Sequence, residues 1–375
     1  MNKERKGSRS QHEPLVHVTK REDLAWWKSA LIRLAAVALA VGVSSVFIIL
    51  LTGINPLRIF KAMYEGNFGT KRKIWLLVQN SAMLLGISLA VTPAFKMRFW
   101  NIGAEGQVLV GCLASVACMF YFKNSLPAWM LMIIMILASV AASMLWAGLP
   151  GFFKAKWNTN ETLFTLMMNY VAIQLVNFFI LKWVPSGSMN LPPLNSDTKA
   201  GWIPNLFGQS YLINVIIVLA LTAFVYVYLK YSKHGYEISV VGESENTARY
   251  IGINVKKVII RTVLLSGALC GIIGWLLVAG KNHMINDTIV GGNGFTAIMV
   301  SWLAKFNPLF MILNAALICF LQGGASALAS DPLLKLDTSL GDIITGIVIL
   351  FIIGSEFFIR YKINFRRHGK EETQK

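Results

Sequence analysis

Runs of about twenty apolar residues, each ended by a short basic, polar or proline-containing stretch, recur along the chain and constrain its fold more than any single motif. Ala30 to Leu51 is one such run; Ala128 to Gly148, Tyr211 to Leu229, Val258 to Ala279, Leu309 to Leu328 and Leu340 to Phe358 are others. A helix rising 1.5 Å per residue needs about 20 residues to cross a hydrocarbon core about 30 Å thick. In lipid the backbone must satisfy its own hydrogen bonds, so these runs fold as helices. Hydrophobic residues fill 55% of the 375 positions and charged residues 14%, a balance that no water-soluble domain of this length needs. The expected fold class is an all-α polytopic membrane protein with about ten transmembrane helices, some broken or short, and both termini cytoplasmic.

The formal net charge of +17 is distributed in short Lys/Arg blocks between the apolar runs. That pattern fits the positive-inside rule and gives no aromatic-basic surface for nucleic acid. Residues 1–28 read as a basic cytoplasmic tail, 29–359 as the membrane domain and 360–375 as a second basic cytoplasmic tail. The first run is too long for the core of a cleaved signal peptide and reads as an uncleaved anchor. Leu57–Tyr64 mixes Arg58 and Lys61 with apolar residues, as does a helix lying on the outer membrane surface. Lys71-Arg72-Lys73 falls on that same outer side, against the local rule, although most Lys and Arg still fall inside. Cys112, Cys118, Cys270 and Cys319 lie in apolar runs without Cys-x-x-Cys spacing and read as small buried hydrophobes.

Polar interruptions mark where function is to be sought. In Phe99–Gly111, Asn101 is positioned to cap a new helix and Glu105 to occupy its first turn, where a carboxylate suits the dipole. A charge at mid-bilayer costs roughly 2.5–3.5 kcal/mol on insertion scales and is kept where it meets a cavity or partner. An ordinary cytoplasmic turn, with Asn101 and Glu105 merely capping the next span, is the other reading. The preceding span, about Ile74 to Phe95, carries Gln79, Asn80, Ser81 and Ser88 and is expected to end at Thr92-Pro93; Leu149-Pro150-Gly151 is expected to break another. Asn160 and Glu161 fit a helix start, with Asn169 and Tyr170 two turns deeper, and Trp183–Ser210 reads as an external, proline-rich loop. Gly267-x-x-x-Gly271 is a close-packing pattern. A short eighth span beginning near Ile289 carries a second interruption at Gly291–Phe295. Paired interruptions, one in each half, point to a central transport site, with Phe99, Trp100, Phe295 and Trp302 as aromatic walls.

The internal loop Lys230–Lys257 is punctuated by Gly235, Gly242 and Gly252, and Ser244–Tyr250 has room for two helical turns that offer Ala248 and Tyr250 to a partner's groove. No His-Glu-x-x-His, Gly-x-Ser-x-Gly or Gly-x-x-x-x-Gly-Lys-Ser/Thr sequence is present, so no metal or cofactor set is expected and the chain does not cradle ATP itself. An enzyme is not expected on these grounds, and a transporter or channel is the expectation that remains.

Four segments carry a family resemblance: Asn101-Ile-Gly-Ala-Glu-Gly-Gln107, the stretch Asn160–Tyr170, Gly242-Glu-x-x-x-x-Ala-Arg-Tyr-x-Gly-Ile253 and Gly292-x-Gly-Phe295. Together they resemble the membrane permease subunits of bacterial nucleoside ABC importers, within the broad family that includes ribose and branched-chain amino-acid permeases. The resemblance covers about Asn55 to Phe358. It implies a bacterial plasma-membrane complex with a cytoplasmic ABC ATPase, a second, non-identical permease and an extracellular substrate-binding lipoprotein. It also implies alternating access driven by ATP in the partner. Substrate contacts are then expected from Asn80, Phe99, Trp100, Asn101, Glu105, Gln107, Asn169, Phe295 and Trp302. ATPase coupling is expected from Gly242, Glu243, Ser244, Asn246, Ala248, Arg249, Tyr250 and Gly252. A simple-sugar permease is the alternative substrate class. An ion-coupled secondary transporter, titrating Glu105 or Glu161, is the alternative mechanism.

Overall fold

The computed structural model describes residues 16–21, 25–123, 125–184, 191–330 and 338–365. The basic residues expected in tails before Val16 and after Phe365, and Pro185 of the external loop, lie outside them. In chain order the helices are α1 (Trp26–Thr52), α2 (Pro56–Phe68), α3 (Lys71–Lys96), α4 (Ala104–Phe122), α5 (Ala128–Trp157), α6 (Glu161–Trp183) and α7 (Leu212–Tyr231). There follow α8 (Lys233–Glu243), α9 (Glu245–Tyr250), α10 (Val255–Leu277) with a π-helical turn Val278–Asn282, α11 (Asn293–Leu303), α12 (Pro308–Ser330) and α13 (Thr338–Arg360). Two short strands, β1 (Val16–Lys20) and β2 (Tyr361–Phe365), pair antiparallel with Val16 opposite Phe365 and Lys20 opposite Tyr361. The chain is an all-α polytopic membrane protein.

Among the described residues nine helices are long and apolar enough to cross a membrane: α1, α3 to α7, α10, α12 and α13. The eighth expected span is corrected to α11, which starts at Asn293 and has 11 residues, about 16 Å at 1.5 Å each and too short to cross alone.

Two other breaks are corrected. Pro150 and Pro93 both sit inside continuous helices, α5 and α3. Each removes one backbone donor, a loss tolerated where neighbouring helices cover the bend, and Pro150 is buried. The expected surface helix is the longer α2, whose Asn67 amide donates to the Met63 and Phe320 carbonyls, both at 2.9 Å.

The chain divides into two compact units, Met1–Ala62 with Leu328–Lys375, and Met63–Ala327. In the first, α1 packs along α13 and Arg33 pairs with Glu356 at 2.5 Å. In the second, α10 is central and packs against α5, α3 and α4. Gly267 and Gly271 of the expected close-packing pattern lie against Ala147 and Ser139 of α5, and the Ser139 hydroxyl donates to the Gly271 and Gly111 carbonyls at 2.7 and 2.9 Å.

Candidate functional site

The two interrupted segments meet. Glu105, in the first turn of α4, accepts the Gly292 N–H on Oε1 at 2.9 Å and the Gly294 N–H on Oε2 at 2.7 Å. These donors belong to the start of α11, where backbone N–H groups have no partner within the helix. A carboxylate there satisfies two of them with charge-assisted bonds. Gly294 is required for the approach, since a Cβ on it would stand 2.5 Å from the Glu105 nitrogen and 2.8 Å from its Cα. Glu105 is therefore the cap of another helix as well as a first-turn acid of its own.

Gly103, not Asn101, holds the capping position of α4, although Asn101 Oδ1 accepts the Gly103 N–H at 3.1 Å. Instead Asn101 and Gln107 form a reciprocal amide pair, with Nδ2 to Oε1 at 3.2 Å and Nε2 to Oδ1 at 3.0 Å. Asn101 Nδ2 also donates to Ser266 Oγ at 3.2 Å, and the Cys270 thiol donates to Gln107 Oε1 at 3.5 Å. Asn169 of α6 spans the same bend, accepting from the Gly106 N–H at 2.9 Å and donating to the Ile102 carbonyl at 3.0 Å. Asn160 caps α6 as expected, accepting from Thr162 and Leu163, and Glu161 pairs with Lys154 of α5 at 2.9 Å. This polar knot is buried and internally paired.

A separate cavity of about 310 Å³ opens between α3, the π-helical turn, the start of α11 and α12. Its polar lining comes from Asn80, Lys281, Asn293, Gln322 and Ser326, and its apolar lining includes Met83, Ile87, Leu277 and Val290. Lys281 Nζ donates to Asn80 Oδ1 at 2.9 Å. The side chains of Asn293 and Gln322 have no hydrogen-bond partner among the described residues. The π-helical turn aims Lys281 here, and such turns are frequent at functional sites. The external loop braces that turn: Leu194 N–H donates to the His283 carbonyl and Ile203 N–H to the Ala279 carbonyl, both at 2.8 Å. The Trp202 and His283 rings stack with centroids 3.6 Å apart, and burial lowers the His283 pKa from its ordinary value.

Of the expected substrate residues, only Asn80 lines this cavity. Phe99 is in the core, Trp100 meets Trp302 with ring centroids 5.2 Å apart away from the cavity lining, and Phe295 is 45% exposed. The aromatic walls expected around a substrate are thus not assembled there. Lys281, Asn293, Gln322 and Ser326 were missed. The available signals were a glutamine followed by Gly323-Gly324 inside an apolar run, and an asparagine inside a glycine cluster.

The internal loop is ordered into α8 and α9. Ser244 caps α9 by accepting from Thr247 N–H at 3.2 Å, as expected for two turns ending at Tyr250. Ala248 is fully buried, so the expectation that it faces a partner is corrected; Tyr250 is 93% exposed. Glu243, Asn246, Arg249 and Gly252 are exposed, with Arg249 paired to Glu245 at 2.9 Å. Gly242 is a packing residue, because a Cβ there would meet the Lys96 carbonyl oxygen at the end of α3. The Arg261 guanidinium, hydrogen-bonded to Glu237 of α8 at 2.7 Å, holds that carboxyl below the usual carboxylate range.

Residues 74–353 match a family described as the permease component of the branched-chain amino acid transport system, well over half of the chain. The chain belongs to this permease family. It is 28% identical to a glucose ABC transporter permease protein, TsgB13 of Haloferax volcanii, covering 93% of both chains. It is 27% identical to the guanosine ABC transporter permease protein NupP of Bacillus subtilis, covering 88% of this chain and 94% of that one. It is 26% identical to the nucleoside ABC transporter permease protein NupB of Lactococcus lactis, covering 81% and 85% respectively. The permease is accordingly a multi-pass plasma-membrane transport subunit of an ABC transporter.

Proposed function

We propose that this permease imports nucleosides by alternating access, driven by ATP hydrolysed in a partner ATPase. The observation that carries the reading is the cavity with unpaired amides on Asn293 and Gln322 beside the Lys281 ammonium. These groups suit the edge of a base and the hydroxyls of a ribose, while Met83, Ile87, Leu277 and Val290 suit the faces. The volume lies at the small end of ligand pockets, which run about 300–1,000 Å³. Two relatives named for guanosine and nucleoside support the class. A hexose is the second reading, favoured by the relative named for glucose.

In this reading both termini are cytoplasmic, a second, non-identical permease completes the pathway, and an extracellular lipoprotein delivers substrate. The exposed face of α9, with Asn246, Arg249 and Tyr250, docks the ATPase. Energy reaches the cavity because that face binds two ATPase states differently. An ion-coupled mechanism is disfavoured, since Glu105 is engaged by two backbone donors and Glu161 by Lys154.

The test is uptake of labelled guanosine, ribose and glucose into proteoliposomes holding the permease with its partner chains. Nucleoside uptake should require ATP, persist when proton and sodium gradients are collapsed, and fall at least tenfold in Tyr250→Ala. Uptake that follows the ion gradient without ATP defeats the mechanism; uptake of glucose alone defeats the substrate class.

A further inference from the structure

Resting on the reading of the Asn80–Lys281 cavity as the substrate site, we propose that Lys281 makes it selective for 6-oxopurine nucleosides, guanosine and inosine, over the 6-aminopurine adenosine. Lys281 is the only charged side chain in the described lining, which contains no Asp or Glu. One of its three N–H donors is engaged by Asn80 at 2.9 Å, which fixes the ammonium and leaves two donors for a ligand. The neighbouring N–H groups at the start of α11 do not compete for the same acceptor, because Glu105 already holds those of Gly292 and Gly294.

The discrimination follows from what each group can do. The amides of Asn293 and Gln322 carry both a donor and an acceptor and can turn to suit either kind of base edge. An ammonium only donates. Guanine and hypoxanthine present two adjacent acceptors, O6 and N7, which is the edge that lysine reads; adenine presents N7 beside an amino donor that faces the ammonium unfavourably. The flexible partners leave the choice open and the fixed cation closes it. Brace contacts from the external loop to the Val278–Asn282 turn keep that cation in place.

Binding is measured on the purified permease complex without any external binding protein, so that only this cavity's preference is read. Guanosine and inosine should bind at least about tenfold more tightly than adenosine, in line with the discrimination of a good base-edge contact. Purine riboside, which lacks both the 6-oxygen and the 6-amino group, should bind more weakly than inosine and no more weakly than adenosine, a comparison that needs no variant. Lys281→Met should bring the guanosine-to-adenosine ratio to within about twofold, and Lys281→Arg, which also only donates, should keep the preference. A wild-type ratio near one, tight binding of purine riboside, or a preference that survives in Lys281→Met would overturn the proposal. Binding of glucose or ribose with no nucleoside bound would overturn the nucleoside reading beneath it, a different pattern from equal binding of guanosine and adenosine.

Discussion

Around Glu105, the carboxylate and the amides of Asn101, Gln107 and Asn169 all have partners within the chain. Around Lys281, 2.9 Å from Asn80, the amides of Asn293 and Gln322 have none among the described residues. Both groups belong to the same compact unit and both interrupt apolar helices. The difference shows what intramembrane polarity can be for. A paired cluster joins backbone breaks that would otherwise expose unsatisfied groups to lipid, whereas an unpaired one keeps its hydrogen bonds for something that arrives and leaves.

Glu105→Leu should have the largest effect. It leaves the buried Gly294 N–H without a partner, at about 1–3 kcal/mol, and the part-buried Gly292 N–H without its carboxylate. The loss should appear as a lowered thermal midpoint of the purified complex together with failed uptake. Glu105→Gln keeps one acceptor but turns an amino group toward the other N–H, so its midpoint should lie between wild type and Glu105→Leu. A Leu variant with wild-type stability would remove the knot from the structural side of the comparison.

The Asn101–Gln107 pair comes next. Either Asn101→Leu or Gln107→Leu takes from the other amide its reciprocal partner, leaving Asn101 with Ser266 and the Gly103 N–H or Gln107 with the Cys270 thiol, at about 1–3 kcal/mol, while the subunit should still reach the membrane and lose uptake. The double variant should cost clearly less than the sum, because reciprocal partners removed together leave fewer orphans. Additive losses in a thermal-midpoint cycle would mean the two side chains do not act on each other.

Much of the fold was legible because it rests on periodicity and length. Apolar runs located all nine membrane-competent helices among the described residues, and the Asn160 cap, the Ser244 start of α9 and the Gly267–Gly271 packing face follow from local rules. Prolines misled the reading at Pro93 and Pro150, where covering helices tolerate a missing donor. The site was less legible, since sequence marks polarity and not pairing. Asn101, Glu105, Gln107 and Asn169 stood out as polar intruders, but their partners lie 165 and 187 residues away in sequence for Asn101–Ser266 and Glu105–Gly292. Gln322 sits alone in an apolar run and Asn293 inside the glycine-rich interruption Gly291–Phe295, and neither pattern marks its side chain as a ligand group. Ala248 reads from sequence as a small residue open to a partner, but it forms the buried face of α9.

The smallest effect on stability is expected on the cavity side, where Gln322→Leu sharpens the comparison most directly. Gln322 is part-exposed, lines the cavity and has no bond to lose within the described chain. Substitution by a residue of similar reach on an apolar helix should change stability within about 0.5 kcal/mol, as for positions without a packing or pairing role. Binding should respond instead, since a ligand group that met the amide would face a methyl and lose a hydrogen bond worth about 0.5–1.5 kcal/mol, roughly two- to twelvefold in affinity. The same preparation supplies both measurements, a thermal midpoint without substrate and a nucleoside affinity. An unchanged midpoint with weakened binding places Gln322 among the groups reserved for ligand. A lowered midpoint with unchanged affinity would place it with the paired residues around Glu105, and the contrast between the two clusters would fail at this position.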